Sequence, residues 1–210
     1  MTKGNLASNE RLQEIFARSN LADLPALSAN VKELLALTHS KRSAARDLAE
    51  VILRDYALIN TTLRVVNSAF YSLKQPVNSV LRAVTVIGFE AVRELAVTVT
   101  IFEDFLKMGA DKEELSKLLT KSLLSAMLAK AICLARHIKV VPEEAFICAL
   151  FHDLGRIVVL VYLPDRYRAI ERQEQSGLSI EAASRAVLHG LSYQEVGEEM
   201  SKIWNLLPNI

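Results

Sequence analysis

Apolar residues recur at helical spacing along almost the whole chain, and few helix-breaking residues interrupt them. Of the 210 residues, 51% are hydrophobic, but only 7 are Gly and 5 are Pro. Apolar side chains at positions i, i+3, i+4 and i+7 form a hydrophobic stripe along one side of a helix. The sequence therefore predicts an all-α fold with short loops, arranged as a bundle or as an orthogonal array of helices.

The predicted helices have recognisable start signals, with Ser79, Asp111 and Ser179 as N-caps. The run 95–102 is rich in β-branched residues, which favour strands. Its flanking sequence is helical, however, and an isolated strand would have no partner, so a helix is predicted there too. The predicted helices span about 10–18, 28–38, 43–56, 57–70, 79–87, 91–106, 111–137, 143–163, 165–175, 180–188 and 193–205.

The segment 108–111 is the best candidate for a hinge inside the chain. It predicts a single domain with an N-terminal helical lobe of about 1–110 and a C-terminal lobe of about 111–210. Gly88 and Gly155 are interpreted as positions where helices approach closely, because neither has a side chain to hold them apart.

Charge and cysteine content exclude several classes of function. The formal net charge is +1 and the pI is about 7.8, which is too low for a typical nucleic-acid-binding domain. Charged residues break every long apolar run, so no membrane span is expected. Cys133 and Cys148 lie in apolar surroundings and are predicted to be buried and reduced. The N-terminus has no signal-peptide core, which favours a cytoplasmic location.

The pair His152–Asp153 is a concentrated polar feature inside an apolar segment. Imidazole and carboxylate ligands suit iron, manganese, zinc or nickel, and neighbouring side chains on a helix can both lean toward one ion. Such a metal could activate water. Two ligands do not make a catalytic site, however. A buried His–Asp pair that fixes helix packing is the structural alternative.

The sequence as a whole resembles a known family, the HDOD domain (HD-related output domain) of bacterial signalling proteins. Segment 145–161 is similar to the His-Asp helix of the wider HD superfamily. The element Asn-Ser-Ala-Phe-Tyr and the pattern Ala-Val-x-x-Ile-Gly are fairly specific. The matching stretches are 24–27, 47–55, 63–71, 80–89 and 193–197, with Trp204 following.

The resemblance implies an HD-superfamily helical array that includes metal-dependent phosphohydrolases, and this sequence departs from their metal pattern. Where the superfamily has its first metal-binding histidine, this chain has Lys121. Where HDOD sequences often have a histidine, it has Tyr193. A lysine at a ligand position repels a cation, and Lys121 could instead pair with Asp153.

His189 is the candidate substitute ligand, with a surface cap as its favoured interpretation. His137 is interpreted as a C-terminal capping or surface histidine, and His39 has no acidic partner nearby in sequence. Chains of the family usually continue with more helix beyond residue 210, so a fragment or a short version is expected.

These departures favour a signal-transduction module without catalysis and with no cofactor, which presents a helical surface or a pocket to a protein or a small signalling ligand. Neither nucleic acid nor a membrane is an expected partner, and a homodimer is an open option. One alternative is a metal-dependent phosphohydrolase acting on a nucleotide or phosphoester. It would use His152 and Asp153 and a divalent iron, manganese, zinc, nickel or magnesium ion. The other alternative is a structural dimerisation domain.

Overall fold

The structure is a computed structural model that describes residues 12–16, 29–37, 44–68, 71, 73–108, 111–136 and 139–204. These residues form helices and turns with no strand among them, which confirms the all-α prediction. The helices are α1 (12–16), α2 (Ala29–Ala36), α3 (Ala44–Leu53), α4 (Tyr56–Val66), α5 (Val80–Ile87), α6 (Phe89–Met108), α7 (Lys112–Arg136), α8 (Pro142–Leu150), α9 (Leu154–Tyr162), α10 (Pro164–Gln175), α11 (Ile180–Val187) and α12 (Tyr193–Trp204).

The chain divides into two compact units. One comprises residues 27–104, where α3 packs against α2, α4 and α5. The other comprises residues 1–26 and 105–210, where α7 packs on α8 and α9, and α9 also contacts α10 and α12. The lobe boundary near Asp111 stays a prediction.

The structure confirms the predicted N-caps and the predicted helix in the β-branched run. The hydroxyls of Ser79 and Ser179 accept from Arg82 N and Ala182 N, both at 3.2 Å. Asp111 Oδ1 accepts from Glu114 N at 3.1 Å. In α6, the hydroxyls of the β-branched Thr98 and Thr100 donate to carbonyls four residues back, each at 2.8 Å. Helical backbone therefore satisfies their polar groups, and the predicted helix at 95–102 is confirmed.

The prediction of one helix over 143–163 is wrong, because residues 151–153 form a turn between α8 and α9. Phe151 and Leu154 are both buried, at 6% and 1% exposure. A turn between them lets α8 pack on α7 while α9 reaches α7, α10 and α12. The continuous apolar pattern on both sides of the turn gives no local sign of this change in direction.

Two further residue predictions need correction. Cys133 is buried, but Cys148 is exposed, because α8 turns Phe146, Ile147 and Leu150 inward instead. Gly88 has φ of 92°, and a Cβ added to it would have no atom of the described residues within 4 Å. Its role is therefore to adopt a backbone conformation that residues with a Cβ avoid, and the predicted close helix approach at this position is wrong.

By length and apolar composition alone, two segments of the described chain could cross a membrane. These are Lys112–Arg136 and Glu144–Tyr162. The most apolar window of the second is 61% buried inside the fold, as expected of a core segment, whereas that of α7 is only 28% buried.

Asn67 fixes the loop that follows α4. Its Nδ2 donates to Val77 O at 2.8 Å, and its Oδ1 accepts from Val77 N at 2.7 Å. One amide thus satisfies both backbone groups of a residue that is only 3% exposed. The Asn of the Asn-Ser-Ala-Phe-Tyr element is therefore a loop-closing residue.

We expect Asn67→Ala to lower the free energy of unfolding by about 1–2 kcal/mol, because both backbone groups of Val77 lose their partners. Asn67→Asp keeps the acceptor and loses the donor, so its free energy of unfolding should lie between those of wild type and Asn67→Ala. Urea denaturation followed by circular dichroism measures both. Equal stability of wild type and Asn67→Ala would contradict this role.

Candidate functional site

His152 and Asp153 lie in the turn between α8 and α9, not on a helix. His152 is exposed, which argues against a buried packing pair. Asp153 is the N-cap residue of α9 but makes no side-chain capping bond there. Its carboxylate is therefore available for a contact with another helix.

That contact comes from α7. Lys121 Nζ lies 2.9 Å from Asp153 Oδ2, and the side chains are 61% and 19% exposed. The ion pair that the sequence allowed is thus formed. Because the lysine is largely exposed, the pair contributes at most about 1 kcal/mol to stability. Its importance is chemical, since the ammonium group neutralises the carboxylate of the His-Asp pair.

A second contact joins α7 and α9 through Arg156. Arg156 Nη2 lies 3.9 Å from Glu114 Oε1. Glu114 precedes Lys121 by seven residues on α7, which places both on one side of that helix. Two oppositely oriented charge pairs therefore connect α7 with α9 and its preceding turn.

Tyr167 of α10 connects Arg156 to Glu114. Its hydroxyl accepts from Arg156 Nε at 3.1 Å and Nη2 at 2.9 Å, and donates to Glu114 Oε1 at 3.0 Å. The side chain is 1% exposed. Burial raises the pKa of the Tyr167 phenol to about 12, although Arg156 opposes the shift. The phenol therefore stays protonated and keeps its donor role at neutral pH.

Tyr193 of α12 packs against what we call the polar network, which comprises Glu114, Arg156 and Tyr167. Its ring centroid lies 6.4 Å from that of Tyr167, with the planes inclined by 42°. Burial raises the pKa of Tyr193, and the neighbouring Tyr167 adds to the rise. Tyr193 therefore presents a neutral phenol where a histidine would offer a nitrogen ligand.

A close crossing of two helices holds Tyr193 in place. A Cβ built on Gly155 of α9 would lie 1.8 Å from the Tyr193 carbonyl oxygen and 2.7 Å from Gly197 N. A Cβ on Gly197 would lie 3.0 Å from Gly155 N. The predicted close approach at Gly155 is confirmed, since the backbones of α9 and α12 touch at these two glycines.

The start of α12 is fixed by a capping box. Ser192 Oγ accepts from Glu195 N at 3.2 Å, while Glu195 Oε2 accepts from Ser192 N at 2.7 Å. Arg185 Nη1 of α11 also lies 2.7 Å from Glu195 Oε2. The pattern Ser-x-x-Glu is readable in sequence, and it places Tyr193 at the first position of the helix.

His189 lies elsewhere, in the turn between α11 and α12. It is exposed and has φ of 52°. No group of three or more His, Cys, Asp or Glu side chains that could hold a metal occurs among the described residues. His152, Asp153 and His189 are therefore not gathered into one ligand set here. His39 and His137 lie outside the described residues.

A family model matches most of the chain. The HDOD domain model matches residues 24–210. The chain belongs to the HDOD domain family. A protein of Treponema pallidum (strain Nichols) with no characterised function is 20% identical over 185 residues, which are 88% of this chain and 35% of that protein.

Solved structures share the fold of this HDOD domain. An HDOD domain protein of unknown function from Geobacter sulfurreducens has a TM-score of 0.81 at 21% identity, over 96% of this chain and 66% of that one. A "Putative phosphohydrolase" from Shewanella amazonensis SB2B has a TM-score of 0.75 at 21% identity, over 94% and 67%. A "Putative signal transduction protein" from Marinobacter aquaeolei VT8 has a TM-score of 0.74 at 18% identity, over 99% and 49%.

The donor set of this HDOD domain does not fit a catalytic metal ion. Such a site typically uses three or more protein ligands and keeps an open position. Here Asp153 is engaged by Lys121, and Glu114 is engaged by Tyr167 and Arg156. The described part of the chain holds no group of three or more His, Cys, Asp or Glu side chains that could serve as metal ligands.

Sequence reasoning missed Glu114 and Tyr167. Glu114 could have been found from its seven-residue distance to Lys121 on one predicted helix face. Tyr167 is 53 residues from its acceptor Glu114, and no local pattern marks a contact over that separation.

Proposed function

We propose that this HDOD domain is a non-catalytic, cytoplasmic module of signal transduction that binds a protein or a small signalling ligand. The observation that carries the proposal is the contact of 2.9 Å between Lys121 Nζ and Asp153 Oδ2. The ammonium group pairs with the carboxylate that a metal ion would need as a ligand. A metal would have to displace a covalently tethered cation, which costs affinity.

The polar network supports the same proposal. Within one unit of the fold, the Tyr167 hydroxyl accepts from Arg156 and donates to Glu114. A closed network of this kind stabilises the packing of α7, α9 and α10 rather than holding a reactive group ready. The exposed helical surface beside it is then the part that meets a ligand.

The names of two fold relatives point to the two classes of function. The Marinobacter protein is named for signal transduction and the Shewanella protein for phosphohydrolase activity. Likeness at this identity concerns the fold, so the side chains of this chain must decide between the classes. Lys121 and Tyr193 favour the signalling class.

Metal analysis of protein purified without chelator, together with hydrolysis assays on generic phosphomonoesters and phosphodiesters, tests the proposal. We expect substoichiometric metal and no turnover above buffer. Wild type, His152→Ala and His189→Ala should be indistinguishable, because neither histidine belongs to a ligand set. Stoichiometric metal with turnover, both lost in His152→Ala, would instead assign a phosphohydrolase. Loss in His189→Ala as well would identify the substitute ligand.

A further inference from the structure

We draw no further inference here: the strongest candidate, the exposed apolar stripe of Leu124, Leu128 and Ile132 along α7, carries nothing because no part of the described structure shows what covers it.

Discussion

Gly155→Ala is expected to cost about 4 kcal/mol of unfolding free energy, or to prevent folding. The added Cβ would lie 1.8 Å from the carbonyl oxygen of Tyr193 and 2.7 Å from Gly197 N. Both are backbone atoms, so no side-chain rotation relieves the overlap. Relief requires α9 and α12 to separate, and α9 is buried along most of its length.

Gly197→Ala is the matched control, because it adds the same atom at the same helix crossing. Its Cβ would lie 3.0 Å from Gly155 N and 3.6 Å from Gly155 Cα, which demands a shift of a few tenths of an ångström. We expect a cost of about 1–2 kcal/mol, partly offset by the higher helix propensity of alanine. Urea denaturation compares the two, and equal losses would show that the crossing is not limited by Gly155.

Much of the fold can be predicted from local sequence. Caps such as Ser79 and Asp111 act on backbone groups within three residues, so their effect is written in neighbouring positions. Gly155 is similar, because a glycine between apolar residues in a helical run indicates close packing. The partner of that contact, Gly197, is 42 positions away and carries no such local sign.

The break at 151–153 was not predictable for the opposite reason. Apolar residues continue on both sides of it, and their spacing is compatible with one helix. The turn exists because α8 and α9 pack on different neighbours, which is a property of the assembled core. The same holds for Cys148, whose surroundings in sequence are apolar although α8 presents it to solvent.

Part of the candidate site could also be predicted from the sequence, and part could not. The pairing of Lys121 with Asp153 followed from the resemblance, which put the two positions in one pocket of a known fold. Composition and spacing alone gave only a polar pair in an apolar segment. Arg156 was visible as part of that segment, but its bond to Tyr167 depends on how α10 packs against α9.

Tyr167→Phe is expected to lower the free energy of unfolding by about 2–3 kcal/mol. The ring volume is kept, so the loss isolates the hydroxyl, which accepts from Arg156 and donates to Glu114. Without the hydroxyl, the half-buried guanidinium of Arg156 loses its acceptor. The Glu114 carboxylate, 3.9 Å from Arg156 Nη2, is too far away to replace it. Tyr56→Phe is the control, because Tyr56 is 79% exposed. Its free energy of unfolding should differ from that of wild type by no more than about 0.5 kcal/mol.

The pH dependence of stability at alkaline pH tests the role of Tyr167 independently. Burial raises the pKa of Tyr167 to about 12, whereas an unfolded tyrosine titrates at about 10. As the pH rises through this interval, the unfolded state loses its proton first, so wild-type stability falls with pH. The contribution is fully present below about pH 10 and is lost by about pH 12, on the order of 2 kcal/mol. Tyr167→Phe lacks this titration, so the difference in stability between it and wild type should narrow between about pH 10 and pH 12. A gap that stays constant over this range would mean that Tyr167 titrates normally and is not held as a protonated donor to Glu114.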